Sequence, residues 1–246
     1  MNKFELDYKK LLKKCLHQGE LTENRTGINT KVLFNEGLTI DLKKGFPILT
    51  SKKIFFEKAL AEFNWIYNGH TDLEYLNKHN VKWWNSFAVN GGLGKVYGYQ
   101  VKTYNGYFDQ VDYCINEINN NSRRAIITFW NPSDLKEQAL PCCYTSFEFV
   151  KINNKLNMKM NFRSSDLFLG LPYDIIVGTL FLIKISEACG LIPNELGVSI
   201  SNAHIYENHF NEVIQYCKKQ IFDLPEYKDG ELINYKSGNY INAKLN

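Results

Sequence analysis

The chain has 246 residues, 29 Lys+Arg against 26 Asp+Glu for a net charge of +3, and 44% hydrophobic against 22% charged residues. That balance excludes a disordered chain, which needs low hydrophobicity and high net charge, and it lacks the strong basic footprint of a dedicated nucleic-acid binder. Six cysteines in this length are too few for a disulfide scaffold, and with no CxxC pair among them neither a zinc site nor a thioredoxin-like motif is signalled.

The first residues, Met1 to Asp7, carry acids where a secretory signal would have its apolar stretch. The apolar run after Leu180 is broken by Lys184, so no membrane span is expected. With no composition shift, repeat or low-complexity tract, residues 1–246 read as one domain of a reducing compartment. Glu5 to His17 has helical spacing and stops at Gly19, and Val32 to Leu42 reads as strands and turns. Ile54 to Tyr67 is an aromatic-rich helix closed by Asn68-Gly69, with shorter helices over Thr71 to His79 and Asp109 to Asn119. Ala125 to Trp130 reads as a buried strand, and Thr145 to Lys151 with Leu156 to Phe162 as a hairpin across Asn153-Asn154. Asp174 to Cys189 is a long apolar helix, Gly197 to Ser201 a strand, and Ile205 to Lys218 a helix. Strands and helices interleave without a βαβ period, so the expected class is α/β of the α+β type, a mixed sheet covered by helices.

Chemistry concentrates in a few stretches. A thiol just after Pro141, at a strand start, can face a cleft and become a nucleophile if cations lower its pKa, or it can be a small buried hydrophobe. Arginine is scarce beside lysine, and its planar fork suits phosphate oxygens. Arg25, Arg123, Arg124 and Arg163 are therefore candidates, with solvated or ion-paired arginines as the alternative reading; Ser164 and Ser165 beside Arg163 suit an anion. Asp174 at a helix start reads either as an N-cap, worth about 1 kcal/mol, or as a carboxyl in an apolar cleft able to donate a proton. His204 and Tyr206 put polar tips two residues apart, fit either to bind hydroxyls or to sit at a helix start, and His209 reads as a structural helix-face residue.

In order along the chain, Asn24-Arg25-Thr26-Gly27, Gly45 to Lys52, Glu62-Phe63-Asn64-Trp65, Val96-Tyr97-Gly98, Ser122-Arg123-Arg124, Pro141 to Phe149, Arg163 to Pro172 and His204-Ile205-Tyr206 resemble the thymidylate synthase family from about Leu21 onward. The resemblance implies a homodimer with two mixed sheets back to back. It implies Cys143, and not Cys142, as the nucleophile. Arg25, Arg163 and Ser164 would hold the nucleotide phosphate, joined by Arg123 and Arg124 from the partner chain. His204 and Tyr206 would bind the sugar hydroxyl, while Glu62 and Tyr97 would serve proton transfers. Trp84, Asp166, Gly170 and Tyr173 would line the site of the cosubstrate 5,10-methylenetetrahydrofolate, Asp166 also lying among the nucleotide contacts, and Lys52 would meet the folate glutamate tail. Neither a metal, a membrane nor an obligatory nucleic acid is implied. The expected location is the cytoplasm of a bacterium or of a virus-infected host, which the Lys- and Asn-heavy usage suits.

The implied chemistry is thiolate addition at ring carbon 6 of a pyrimidine, which turns carbon 5 into a nucleophile toward the folate methylene. Loss of folate then leaves an exocyclic methylene to be quenched by hydride or by water. Where the family's thymidylate-making members have asparagine, this chain has Asp174. An amide matches the position-4 carbonyl and the N3–H of uracil, whereas a protonated carboxyl accepts from cytosine's amino group and donates to its bare ring nitrogen. Aspartate here is similar to the pattern of deoxycytidylate hydroxymethylases, so dCMP hydroxymethylation leads. Thymidylate synthesis from dUMP, cytidylate C5-methylation, CMP hydroxymethylation and a non-catalytic nucleic-acid-binding member are the alternatives. Tyr144 stands where the uridylate enzymes usually carry histidine, and Asn85 and Phe87 also depart from the family pattern. Trp84 and Leu140 match residues that shield the methylene from water in methylating members.

Overall fold

The computed structural model describes residues 2–244. Seven α-helices occur among them: α1 (Lys3–Gln18), α2 (Phe56–Tyr67), α3 (Glu74–Lys78), α4 (Tyr97–Thr103), α5 (Gln110–Asn119), α6 (Gly170–Ala188) and α7 (Phe210–Lys218). The strands are β1 (Glu20–Thr22), β2 (Thr30–Asp41), β3 (Ile126–Thr128), β4 (Tyr144–Ile152), β5 (Lys155–Phe162), β6 (Ser165–Asp166), β7 (Ile192–Tyr206), β8 (Glu226–Lys228) and β9 (Glu231–Ile233). They fall into two compact units, Met1–Phe56 with Phe162–Thr179 and Glu195–Asn246, and Glu57–Asn161 with Leu180–Asn194.

In the first unit α1 packs on β2. Phe4, Tyr8, Leu11, Leu12 and Cys15 recur at helical spacing and are buried. Asn2 accepts from the Glu5 N–H and so starts this helix two residues before the expected Glu5. β2 runs antiparallel to β7 from Thr30↔Tyr206 to Asp41↔Glu195, and β1 pairs antiparallel with β2. On its other edge β7 takes β6 in parallel, through Ser165↔Ala203 and Asp166↔His204. Antiparallel and parallel pairs on one strand make the sheet mixed, as the sequence suggests.

In the second unit β5, β4 and β3 adjoin in that order, and α5 packs on β3 and β4. Asn153 turns the β4–β5 hairpin at a φ of 55°, in the left-handed region that asparagine tolerates. Across the hairpin, the Asn161 side-chain amide donates to Ser146 Oγ at 3.0 Å and to Glu148 Oε1 at 2.7 Å. Phe129, Tyr144 and Phe147 form a ring cluster here, and Phe181 of α6 lies 5.3 Å from Phe147.

Three expectations are corrected. Val32 to Asp41 belongs to one 12-residue strand, and Leu42 opens the short 3-10 turn after it. The Ala125 to Trp130 run is buried on one face only, since Ala125, Ile127 and Phe129 are buried while Ile126 is exposed. The helix expected from Ile205 begins at Phe210, because residues 204–206 pair with β2 and β-strand pairing overrides local helical spacing. His209, expected on that helix, lies in the single turn before it, buried, its Nε2 2.7 Å from the Lys244 carbonyl oxygen.

Removing the buried Phe147 ring, as in Phe147→Ala, should lower the unfolding free energy by about 3–5 kcal/mol. The measurement is the urea midpoint at unchanged slope; a loss well under 1 kcal/mol would show that the ring cluster does not support this unit.

Candidate active site

The thiols lie in the bend where Pro141 leads into β4, and their burial separates them. Cys142 has 0% exposure and belongs to the core, while Cys143 is half-buried. The Cys143 N–H donates to Tyr97 Oη at 2.6 Å. Tyr97 opens α4, and its ring lies 4.5 Å from Tyr144, 5.8 Å from Phe129 and 5.7 Å from Trp84. The phenol is thus held by packing on three sides, and the thiol's main chain is held by the phenol.

Glu62, on α2, is 8% exposed. Its Oε1 accepts from Trp83 Nε1 at 3.1 Å and from Trp84 Nε1 at 2.5 Å. Burial pushes its carboxyl above the ordinary glutamate value, and the two indole donors oppose that rise. The second unit therefore brings together a thiol, a phenol and a buried carboxyl, with Trp84 as the link: it donates to Glu62 and packs on Tyr97.

The first unit gathers the other polar candidates. β5 ends at Phe162, Arg163 and Ser164 follow, and β6 carries Asp166. Pairing of β6 with β7 puts Asp166 level with His204. Ser164 Oγ lies 3.4 Å from both Asn202 Oδ1 and His204 Nδ1, and the same Nδ1 lies 2.9 Å from Asn202 Oδ1. The Asn202 acceptor favours the Nδ1–H tautomer, which leaves Nε2 to accept from a ligand hydroxyl. Burial, with the Arg163 charge adding to it, holds His204 below the ordinary histidine value, against the opposing pull of Asp166. Tyr206, two residues along the strand, stands edge-on to His204 at 5.3 Å. Both belong to a strand, not to the helix start weighed from spacing, so their tips share one face of β7.

Asp166 Oδ1 accepts from the N–H groups of Phe168 and Leu169 at 2.9 and 3.3 Å, forming the turn that leads into α6. α6 begins at Gly170, so Asp174 is not its N-cap; it lies inside the helix, and Pro172 fits the first turn, where its missing N–H does no harm. A carbon built on Gly170 would lie 3.8 Å from Asp174 Oδ2 and 3.9 Å from Asp166 Cβ. The bare glycine therefore leaves space beside two acidic residues on one side of the turn.

The remaining candidates are placed differently. Tyr173 Oη accepts from the Phe55 N–H at 3.5 Å. Arg25 is exposed on the β1–β2 loop, whose turn Asn24 holds by accepting from Thr26 N–H and Oγ1. Arg123 and Arg124 are exposed ahead of β3. Lys52 is 4% exposed and donates to the Phe168 carbonyl at 2.7 Å. Sequence reasoning missed Trp83 and Asn202. The signals were there: Trp83 adjoins Trp84, and Asn202 shares the period-two face of His204.

Among the described residues no group of three or more His, Cys, Asp or Glu could hold a metal ion, and no helix is long and apolar enough to cross a membrane.

A sequence model of the family described as thymidylate synthase matches residues 6–243. Thymidylate synthases from two strains of Francisella tularensis subsp. holarctica, FTNF002-00 / FTA and OSU18, are each 34% identical over 270 residues, which cover 97% of this chain and 98% of theirs. With a family match over nearly the whole chain and relatives of this identity and coverage, the chain belongs to the thymidylate synthase family.

Proposed function

We propose that this chain transfers a one-carbon unit from 5,10-methylenetetrahydrofolate to carbon 5 of dCMP and releases 5-hydroxymethyl-dCMP. Family membership makes it a one-carbon transferase; the choice of base is our reading. It is carried by one observation, the carboxyl of Asp174 beside Gly170 and Asp166, where the family's thymidylate-making members present an amide. A carboxylate accepts from both the amino group and the ring N–H of N3-protonated cytosine, whereas against uracil it would accept from N3–H but set its other oxygen against the position-4 carbonyl, acceptor facing acceptor.

In this reading Cys143 supplies the thiolate, with its main chain held by Tyr97. Arg25, Arg163 and Ser164 hold the phosphate, and neutral His204 with Tyr206 binds the sugar hydroxyl. Glu62, kept in its acid form to higher pH than an ordinary glutamate, exchanges protons with the ring through ordered water. Trp84, Asp166, Gly170 and Tyr173 face the folate. The active form is a homodimer working as one catalytic domain per chain. Each unit leaves apolar side chains exposed on its strands, Phe34 on β2 at 83% and Val150 and Ile152 on β4 at 52% and 56%, as a covered face requires. Arg123 and Arg124 reach the partner's phosphate.

Thymidylate synthesis is the second reading, favoured by the name of the 34% identical relatives. Mass spectrometry separates the two: dCMP should gain a hydroxymethyl group. Formation of dTMP from dUMP without reaction of dCMP would overturn the proposal. Asp174→Asn should shift the dCMP-to-dUMP ratio of kcat/KM toward dUMP by about 10²-fold or more, and an unchanged ratio would remove Asp174 from base recognition.

Two further outcomes test the machinery. Cys143→Ser and Arg124→Ala should each be inactive alone, yet mixing and refolding them should restore about a quarter of the parent activity, because half the dimers then own one intact site. No recovery on mixing would place Arg124 outside the partner's site. For Glu62, the kcat/KM limb it controls should lie above pH 4.5, the ordinary glutamate value, and vanish in Glu62→Gln. The folded state holds this proton longer than the unfolded chain, so the parent should lose stability relative to Glu62→Gln as pH climbs from 4.5 through the raised value. A limb kept in the variant would exclude Glu62 as its source.

A further inference from the structure

We propose that Lys52 is a positioning residue, its buried ammonium clamping the turn between Asp166 and Gly170 from behind and so setting where Asp166 and Asp174 point. What those two acids do rests on the reading above; the clamp itself does not.

The turn is tied at each main-chain group that faces inward. Leu167 N–H donates to the His204 carbonyl at 2.8 Å, and Tyr8 Oη of α1 donates to the Leu167 carbonyl at 2.5 Å. Asp166 Oδ1 takes the next two N–H groups, and Lys52 Nζ takes the Phe168 carbonyl at 2.7 Å while lying 3.8 Å above the Phe168 ring. Lys52 is itself fixed from α1, because buried Glu5 accepts from the N–H groups of Thr50 and Ser51 at 2.7 and 2.8 Å and from Tyr216 Oη at 2.6 Å. One line of contacts therefore runs from α1 through residues 50–52 to the turn and into α6, all inside the first unit.

A lysine used only to fill this space would be better replaced by an apolar side chain, since burying its charge is unfavourable. The charged groups that act on it are Glu5 from α1 and Asp166 from β6, and it also lies over the Tyr216 ring from α7. Burial brings the amine down to about 7 even though Asp166 and Glu5 favour its charge. Below that value the ammonium grips the carbonyl as a charged donor, and above it only as a neutral amine.

The test uses Lys52→Met, which keeps the length and apolar stem and removes the donor. Amide hydrogen exchange on the ligand-free chain should quicken by about tenfold or more at Phe168 and Leu169, leaving the β2–β7 amides unchanged. With whichever pyrimidine nucleotide the parent turns over, kcat should fall, equally for monoglutamyl and polyglutamyl methylenetetrahydrofolate, and Lys52→Arg should restore part of it. In the parent, protection of the same two amides should weaken as pH rises through about 7, a step that Lys52→Met lacks. A loss confined to KM for the polyglutamyl form would make Lys52 a tail ligand instead, and unchanged exchange would make it mere packing; either overturns the proposal. Should Lys52→Met fail to fold, Tyr8→Phe removes the other donor to this turn and should quicken the same amides, and no change there overturns it equally. Because exchange is read without nucleotide, failure of the dCMP assignment leaves this outcome independent.

Discussion

The short parallel pairing of β6 with β7 is the constraint on which the first unit's chemistry depends. Only Ser165 and Asp166 pair, extended by the Leu167 N–H on the His204 carbonyl. Those few bonds put Asp166 beside His204, bring Ser164 within reach of the His204 ring, and aim the chain into the turn before α6. A two-residue strand has little stability of its own, so it must borrow rigidity from neighbours. Here β7 supplies it on one side, through its long antiparallel match to β2. Tyr8 and Lys52 supply it from the other, by donating to consecutive carbonyls of the turn. Functional groups held to a fraction of an ångström need supports of this kind, locked by packing and hydrogen bonds of their own.

The second unit solves a different problem, how to keep a carboxyl in an apolar, aromatic setting. Burial of Glu62 without partners would be strongly unfavourable. Two indole N–H groups converge on one oxygen, enough to satisfy it and too little to restore an ordinary acidity. The result is a carboxyl that keeps its proton to higher pH than an ordinary glutamate. Trp84 couples this carboxyl to Tyr97 by ring packing, and Tyr97 reaches the main chain of Cys143. His204 shows the same logic with opposite charge: burial favours its neutral form, and Asn202 selects which nitrogen remains an acceptor. For both Glu62 and His204, desolvation is the main cause of the shift and a neutral partner orients the group.

Much of this was legible in the residues themselves. α1, α2 and α5 follow from helical spacing, and the β4–β5 hairpin from alternation around Asn153-Asn154. Where the reading slipped, a longer-range interaction had overridden a local one. Residues 205 and 206 have helical neighbours in sequence but strand partners in space, so His204 and Tyr206 became strand residues with both tips on one face. Asp174 reads as a helix cap because the apolar helical pattern starts there, yet the Asp166 turn leads into a helix that begins at Gly170, which puts Asp174 inside it.

The family, the pair of adjacent thiols after Pro141 and the acid at position 174 were all determined by sequence alone, because they are properties of residue type and order. Tertiary structure decided what each side chain meets. Adjacent Cys142 and Cys143 differ because the bend that leads into β4 turns one into the core and leaves the other half-buried. Nothing in the sequence marks Lys52 as buried, and only the fold shows it so, the preceding Thr50 and Ser51 held by Glu5 and its own amine holding a carbonyl 116 positions later. Contacts at such separations leave no periodicity in the chain, so no local reading could contain them.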